Sequence, residues 1–237
     1  MFSNKISLRS TFYKLVIVSM VGFSSASGQV SLGADVVSRY VWRGVDFGES
    51  MSVQPSLSFS AGGFEVGSWG SYSYAPLSSG ANEHDIWASY SFGSVSLMLT
   101  DYYFPNGGFD FFDFDGAQGD TASGGAHWIE SSISYSGSES FPISVLFGAF
   151  IHNDPETSTY LEIGYPLSVD GADLSFFAGA TLAETAFYGT EGAGLISVGV
   201  SASKEVTVTE SFALPISVSY ILNPNAQRTF LTFGVSF

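Results

Sequence analysis

The sequence predicts an all-β protein, a transmembrane antiparallel up-and-down β-barrel of about 12 strands after a cleaved N-terminal signal peptide. Three observations predict this fold. Apolar and small polar residues alternate along many segments, which is the pattern of strands with two different faces. Only 12% of the residues are charged, although the chain contains 22 Phe. Short and long connections also alternate, as they do in outer-membrane barrels.

The composition excludes several classes of protein. The chain has 237 residues with 7 Lys+Arg, 22 Asp+Glu and no Cys. We therefore expect no thiolate metal site, no disulfide scaffold, no cofactor and no nucleic-acid partner. An ordinary soluble domain is about 25% charged. A chain that is so much less charged, with a mean hydropathy of +0.25, must cover apolar surface with something else, and a membrane is the obvious candidate.

The N-terminal apolar stretch, residues 15–23, is too short to span a membrane as a helix, because a spanning helix needs about 18 apolar residues. It follows Lys5, Arg9 and Lys14 and runs into the small residues 24–28, the pattern of a secretory signal peptide. We expect residues 1–28 to be a signal peptide and residues 29–237 to form a barrel in the bacterial outer membrane. The alternative is an amphipathic anchor helix.

The predicted strands follow one another along the exported chain. Residues 52–61 give the clearest case, because Leu57 and Phe59 share one face while Ser56 and Ser58 share the other. The same alternation predicts strands at residues 32–43, 52–61, 64–73, 86–92, 95–99, 129–135, 143–151, 161–169, 174–182, 196–202, 214–220 and 231–237.

The polar faces of these strands favour a barrel over a soluble sandwich, which is the alternative. They consist mostly of Ser and Gly with a few isolated charges, which suits the crowded inside of a narrow barrel. The long connections predict which ends of the strands carry the external loops, and both termini then lie with the short turns. These connections are residues 44–51, 75–82, 105–125, 153–157, 184–194 and 223–227.

Six aromatic residues at strand ends beside long connections are predicted to form an outer girdle, because Trp and Tyr favour the membrane–water boundary. The alternative is that they are core aromatics of a sandwich. The six residues are Tyr40, Trp42, Tyr72, Tyr74, Tyr102 and Tyr103.

The C-terminal strand alternates through Leu231, Phe233, Val235 and a terminal Phe237. This pattern resembles the C-terminal signal by which bacterial outer-membrane barrels are recognised for insertion. It departs from that signal in having Val235 where an aromatic residue is usual. The resemblance implies that the insertion machinery of the outer membrane is a partner.

A second resemblance covers the start of the exported chain. Residues 35–45 read DVVSRYVWRGV and residues 52–55 read SVQP, and a Trp-Gly strand follows. This stretch, roughly residues 33–72, resembles the TorF-type porins, a family of exported barrels whose function is mostly inferred. The resemblance implies an outer-membrane barrel and supplies no substrate.

The side-chain alternation also predicts which charges face the lumen. If Tyr40 and Trp42 face lipid, Asp35, Arg39 and Arg43 face inward, and the first strand must pair with the last, which carries Arg228. We hypothesise that this basic strip faces acidic groups across a water-filled lumen and selects small polar solutes or ions. The alternative is a set of buried ion pairs that plugs the interior. The predicted lumen residues are Asp35, Arg39, Arg43, Glu65, Asp85, Glu130, Glu162 and Arg228.

Two further features of the sequence are candidate sites. The connection 105–125 carries Asp110, Asp113, Asp115 and Asp120, but it lacks the regular spacing of a calcium loop. We therefore expect a solvated external loop and no metal site. Enzymatic action on lipids would require a base, and the alternation places His84 and His127 on the lipid side. We expect a barrel that is not an enzyme.

The sequence therefore predicts a small passive pore for small polar solutes or ions. Its other expected partners are outer-membrane lipids and lipopolysaccharide. The alternatives are a closed barrel with a structural or surface-interaction role, or a lipid-modifying enzyme of the outer membrane.

Overall fold

The computed structural model describes residues 28–75, 82–105, 111–114 and 125–237. The predicted signal peptide lies outside the described residues except for Gly28. None of the described residues belongs to a helix that is long and apolar enough to cross a membrane.

The described residues form fourteen strands, and twelve of them close into one antiparallel barrel. This confirms the predicted all-β antiparallel barrel and its number of strands. The two remaining strands, β2 and β3, pair only with each other. The strands are β1 Gln29–Val37, β2 Val41–Trp42, β3 Val45–Asp46, β4 Ser52–Ala61, β5 Phe64–Ser73, β6 Glu83–Phe92, β7 Val95–Tyr103, β8 His127–Tyr135, β9 Ser144–His152, β10 Thr159–Val169, β11 Ala172–Thr181, β12 Gly194–Thr209, β13 Phe212–Asn223 and β14 Arg228–Ser236.

The barrel closes where β14 pairs with β1. Asp35, Val36 and Val37 face Ser236, Val235 and Gly234 across this seam. The C-terminal Phe237 adds two backbone hydrogen bonds, since its amide donates to the carbonyl oxygen of Ala34 at 3.0 Å and its own carbonyl accepts from the Ala34 amide. The predicted insertion signal is therefore also the strand that seals the wall.

The wall has an apolar outer face and a polar inner face, as period-2 alternation requires. On β4, Leu57 is 50% exposed, whereas Gln54 on the opposite face is 7% exposed. The same pattern of exposed Leu, Ile, Val, Phe and Tyr side chains continues around the barrel. Exposed apolar surface of this extent is consistent with an outer-membrane protein.

The two ends of the barrel differ. Turns at residues 62–63, 93–94 and 170–171 join strands at one end, and Gly62, Gly93 and Gly171 adopt the left-handed conformation there, which glycine reaches without strain. The connections 38–51 and 182–193 lie at the other end, which we call the long-loop end.

The predicted strand 32–43 is wrong in its second half. β1 ends at Val37, and residues 40–47 turn away from the wall as a hairpin made of β2 and β3, which we call the inner hairpin. Arg43 and Gly44 form its two-residue turn, with φ of 50° and 77°, as a tight hairpin requires. The sequence misled because residues 38–43 continue the alternation of β1.

Candidate functional site: a hairpin inside the lumen

The inner hairpin lies inside the barrel at the long-loop end. Its turn touches the wall so closely that a Cβ atom on Gly44 would lie 1.9 Å from the carbonyl oxygen of Ile196 on β12. On the neighbouring strand, the Asn223 side-chain amide donates to the Gly44 carbonyl oxygen at 3.1 Å. Glycine is therefore required at this position for both space and backbone conformation.

Arg43, in the turn of the inner hairpin, reaches across the lumen and binds Glu130 on β8. Its guanidinium donates to both carboxylate oxygens of Glu130, at 2.6 and 2.8 Å, and to the Tyr188 hydroxyl at 2.8 Å. The Arg43 side chain is 8% exposed and that of Glu130 is 3% exposed. A buried, bidentate pair of this kind is among the strongest polar contacts in proteins.

Aromatic rings enclose the Arg43 guanidinium. Its central carbon lies 4.2 Å from the centroid of the Trp42 ring and 4.4 Å from that of Tyr160, within the range of cation–π attraction. Burial disfavours the charged form, but the hydrogen bonds to Glu130 outweigh this effect and hold the pKa of Arg43 above its ordinary value. Arg43 is therefore a buried cation with a fixed position inside the barrel.

The hairpin side chains also pack against rings from the wall and from the connection between β11 and β12. Trp42 contacts Tyr102 and Phe187, with ring centroids 5.6 and 6.1 Å apart. Tyr40 packs on Trp69 at 5.4 Å. A small space of about 10 Å³ lies among the rings around Trp42. The hairpin therefore fills the lumen on this side.

This packing corrects the predicted girdle. Tyr40 is 9% exposed and lies in the lumen with Trp42, and Tyr102 also points inward because it pairs with the buried Asp85. Adjacent residues on a strand face opposite sides, so Tyr102 and Tyr103 cannot both be in the girdle. Tyr72, Tyr74 and Tyr103 lie on the outer side at the long-loop end.

The predicted basic strip on one wall is also wrong. Arg39 and Arg43 lie in or beside the hairpin rather than on a wall strand, and Arg39 forms an ion pair with Asp46 at 3.0 Å. Only Arg228 is on the wall, exposed at the start of β14. The physical reason is the departure of the chain from the wall after Val37.

The remaining predicted lumen residues lie on wall strands. Asp35 pairs with the buried Gln54, Glu65 accepts a hydrogen bond from the Trp87 indole at 3.2 Å, and Glu162 accepts one from the Tyr160 hydroxyl. Asp85 is 7% exposed. Acidic groups therefore outnumber cations on the described inner surface.

A polar cavity of about 380 Å³ lies between the hairpin and the wall formed by β12, β13, β14 and β1. Hydroxyl groups line most of its wall side, and Arg39, Arg43 and Glu162 contribute charges. The hydroxyl-bearing lining residues are Ser197, Ser201, Ser217, Ser219 and Thr232. A cavity with this lining suits water and small polar solutes.

The two candidate catalytic bases, His84 and His127, lie at the outer rim of the barrel. His84 Nε2 is 2.7 Å from the Tyr72 hydroxyl. His127 is fully buried: its Nδ1 lies 2.9 Å from both Asp101 carboxylate oxygens, and Phe114 stacks on its ring. In the acidic connection 105–125, Asp110, Asp115 and Asp120 lie outside the described residues. Within the described ranges, no group of three or more His, Cys, Asp or Glu residues could hold a metal ion.

Sequence reasoning missed the aromatic partners of the hairpin. Tyr188 and Phe187 were assigned to an external loop, and Tyr160 precedes the predicted start of its strand. One signal for the hairpin was available, because Arg43-Gly44 between two pairs of β-forming residues is compatible with a two-residue turn.

The fold and the lumen together define a closed twelve-strand barrel with an apolar outer face and an internal hairpin, consistent with an outer-membrane protein. A sequence model described as "Bacterial protein of unknown function (Gcw_chp)" matches residues 23–228, and the chain belongs to this family. No curated protein matches the chain. The resemblance to TorF-type porins stays a prediction.

Proposed function

We propose that this protein is an outer-membrane pore for small polar solutes or ions and that the inner hairpin keeps the pore closed. The observation that carries the proposal is the Arg43–Glu130 ion pair, which attaches the inner hairpin to β8. A hydroxyl-lined cavity lies on the other side of the hairpin, next to β12, β13, β14 and β1. The proposal changes the predicted passive pore into a pore with a closed resting state.

The charges of the interior support a preference for cations. Arg43 neutralises Glu130, and Arg39 neutralises Asp46. Asp35, Glu65 and Glu162 take part in no ion pair among the described residues. An acidic lumen attracts cations and repels anions.

Single-channel recording tests the proposal on protein purified from membranes of cells that express the full chain. The wild type should be closed for most of the time, and Arg43→Ala should open in discrete, salt-dependent steps because the hairpin loses its attachment. Arg228→Ala is the matched control, since it removes a lumen-end cation that does not hold the hairpin. A folded but silent Arg43→Ala barrel would contradict the proposal.

One observation favours a second candidate function. The aromatic rings around Trp42 leave a space of only about 10 Å³, which also fits a permanently closed barrel with a structural or surface-interaction role. In that case neither the wild type nor Arg43→Ala conducts, although both fold and reach the outer membrane.

We propose no catalytic step for the chain. A groove of about 350 Å³ on the outer face contains Tyr72, His84 and Asp101, and it gives this expectation a direct test. Purified protein should release no acyl chains from phospholipid or lipopolysaccharide. Hydrolysis that disappears in His84→Ala would make the protein an enzyme instead.

A further inference from the structure

Two buried carboxyl groups and one hydroxyl lie together on the inner face of β5 and β6. Ser71 and Glu83 are direct cross-strand partners, so their Cβ atoms are about 5 Å apart. Asp85 follows Glu83 by two residues and shares its face. Ser71 is 1% exposed, Glu83 2% and Asp85 7%.

Each of these side chains has an oxygen atom without a hydrogen-bond partner among the described residues. The atoms are Ser71 Oγ, Glu83 Oε2 and Asp85 Oδ1. Buried polar atoms are nearly always paired, and an unpaired buried carboxylate is costly. The ion pairs of the described residues include neither Glu83 nor Asp85. The cluster therefore has no counter-charge among the described residues.

The inner hairpin covers this cluster. Tyr40 packs on Trp69, and Trp69 is the cross-strand partner of Asp85. Tyr40 is only 9% exposed, so the hairpin shields this part of the β5–β6 face from solvent.

We propose that Ser71, Glu83 and Asp85 bind a divalent, oxygen-preferring cation of the Ca²⁺ type beneath the inner hairpin. The donor set consists of oxygen atoms alone, which suits Ca²⁺ or Mg²⁺ better than a transition metal. Two carboxylates match a charge of +2. With the Ser71 hydroxyl, they offer five oxygen atoms, close to the six to eight that Ca²⁺ takes.

The burial of the site favours Ca²⁺ over Mg²⁺. Mg²⁺ gives up its water molecules reluctantly and usually keeps several. The three unpaired oxygen atoms are buried from solvent. An ion that binds them must therefore give up most of its waters, which Ca²⁺ does more readily.

The rival occupant is a proton shared between Glu83 and Asp85. A shared proton would satisfy one carboxyl oxygen of the pair but would leave Ser71 Oγ without a partner. A cation contacts all three unpaired oxygen atoms. Ser71 therefore distinguishes the two occupants.

Calorimetric titration of the purified, EDTA-treated full chain with CaCl₂ tests the proposal. We expect one site that MgCl₂ fills more weakly. Ser71→Ala should weaken Ca²⁺ binding by at least about tenfold, and Glu83→Gln with Asp85→Asn should abolish it. Glu65→Gln is the control, because Glu65 is a lumen carboxylate on β5 that already accepts from Trp87. Circular dichroism and heat-modifiable gel mobility establish that each variant folds.

Two results would overturn the proposal. The first is Ca²⁺ binding that survives both the Ser71 and the carboxyl substitutions, which would place the ion elsewhere on this acidic chain. The second is a wild type that binds no Ca²⁺ and shows an infrared band of a protonated carboxyl that Glu83→Gln removes. Neither readout depends on conductance, so failure here leaves the proposed pore intact, and a silent channel leaves the cation site intact.

Discussion

Arg43 and Glu130 lie 87 positions apart in the chain, yet they form a bidentate ion pair inside the barrel. The pair joins the turn of the inner hairpin to β8 on the opposite side of the lumen. Because both side chains are buried, neither can exchange its partner for water without moving the hairpin.

Breaking this pair should cost more stability than removing it whole. Glu130→Gln leaves a buried guanidinium without its counter-charge, and we expect a loss of about 3–5 kcal/mol in the free energy of unfolding. The double variant Arg43→Met with Glu130→Met should recover most of that loss. Urea unfolding in detergent measures both. Arg39→Ala, which removes a partly exposed pair with Asp46, should cost no more than about 1 kcal/mol, and an equal loss in the two single variants would contradict the expectation.

Gly44→Ala should displace the hairpin from the wall. The new methyl group would collide with the Ile196 carbonyl oxygen, and the φ of 77° would add strain of about 1–3 kcal/mol. We expect limited proteolysis to cut within residues 38–47 much faster than in the wild type. Gly62 has a similar φ, but the space around its Cβ position is open. In the Gly62→Ala variant the inner hairpin should therefore stay protected from proteolysis. Equal protection of the hairpin in both variants would argue against the close contact.

Asp101→Asn should loosen the connection that covers His127. Asp101 contacts His127 Nδ1, and His127 Nε2 lies 2.6 Å from the carbonyl oxygen of Phe111. Weakening this buried contact should cost about 1–3 kcal/mol and increase hydrogen exchange in residues 111–114. Tyr72→Phe, which removes the contact to the separate histidine His84, serves as the control. Unchanged exchange in Asp101→Asn would show that the aromatic stacking alone holds this segment.

Tyr188 should make the barrel less stable at high pH. Burial raises its pKa to about 12, although Arg43 acts in the opposite direction. A raised pKa means that the folded state keeps the proton while the unfolded chain releases it near pH 10. The stabilisation is therefore complete below about pH 10 and is lost as the pH rises towards 12.

Tyr188→Phe should reduce this fall in stability, measured as the difference in unfolding free energy between pH 9 and pH 11.5. The expected reduction is at most about 3 kcal/mol. Tyr74→Phe is the control, because Tyr74 is 84% exposed and should leave the slope unchanged. A Tyr188→Phe protein with the wild-type slope would assign the effect to other groups.

The wall of this barrel could be predicted from the sequence, because the alternation within each strand is enough to predict which residues face the lumen. Residues such as Leu57 and Gln54 alternate with period 2 on β4, and opposite faces meet opposite environments. The inner hairpin could not be predicted in this way, since Tyr40 and Trp42 continue the same alternation after the chain has left the wall. Only contacts with distant residues, above all Glu130, fix its position.

Part of the candidate site was within reach of sequence reasoning. Glu130 and Arg43 were both placed in the lumen by alternation, but their pairing required the position of the hairpin. Assigning Tyr102 to the girdle was avoidable, because its neighbour Tyr103 already occupied the outer face. Tyr188 could not be predicted, since a loop residue carries no periodic signal.

The order of the strands has a consequence for biogenesis. The inner hairpin follows β1 directly, whereas the strand that closes the wall, β14, comes last among the described strands. The residues that hold the inner hairpin, Glu130, Tyr188 and Ile196, are synthesised long after the hairpin itself. The hairpin must therefore take its place inside a curved sheet that is still open, before β14 pairs with β1. Filling of the lumen and closure of the barrel are then steps of a single assembly event.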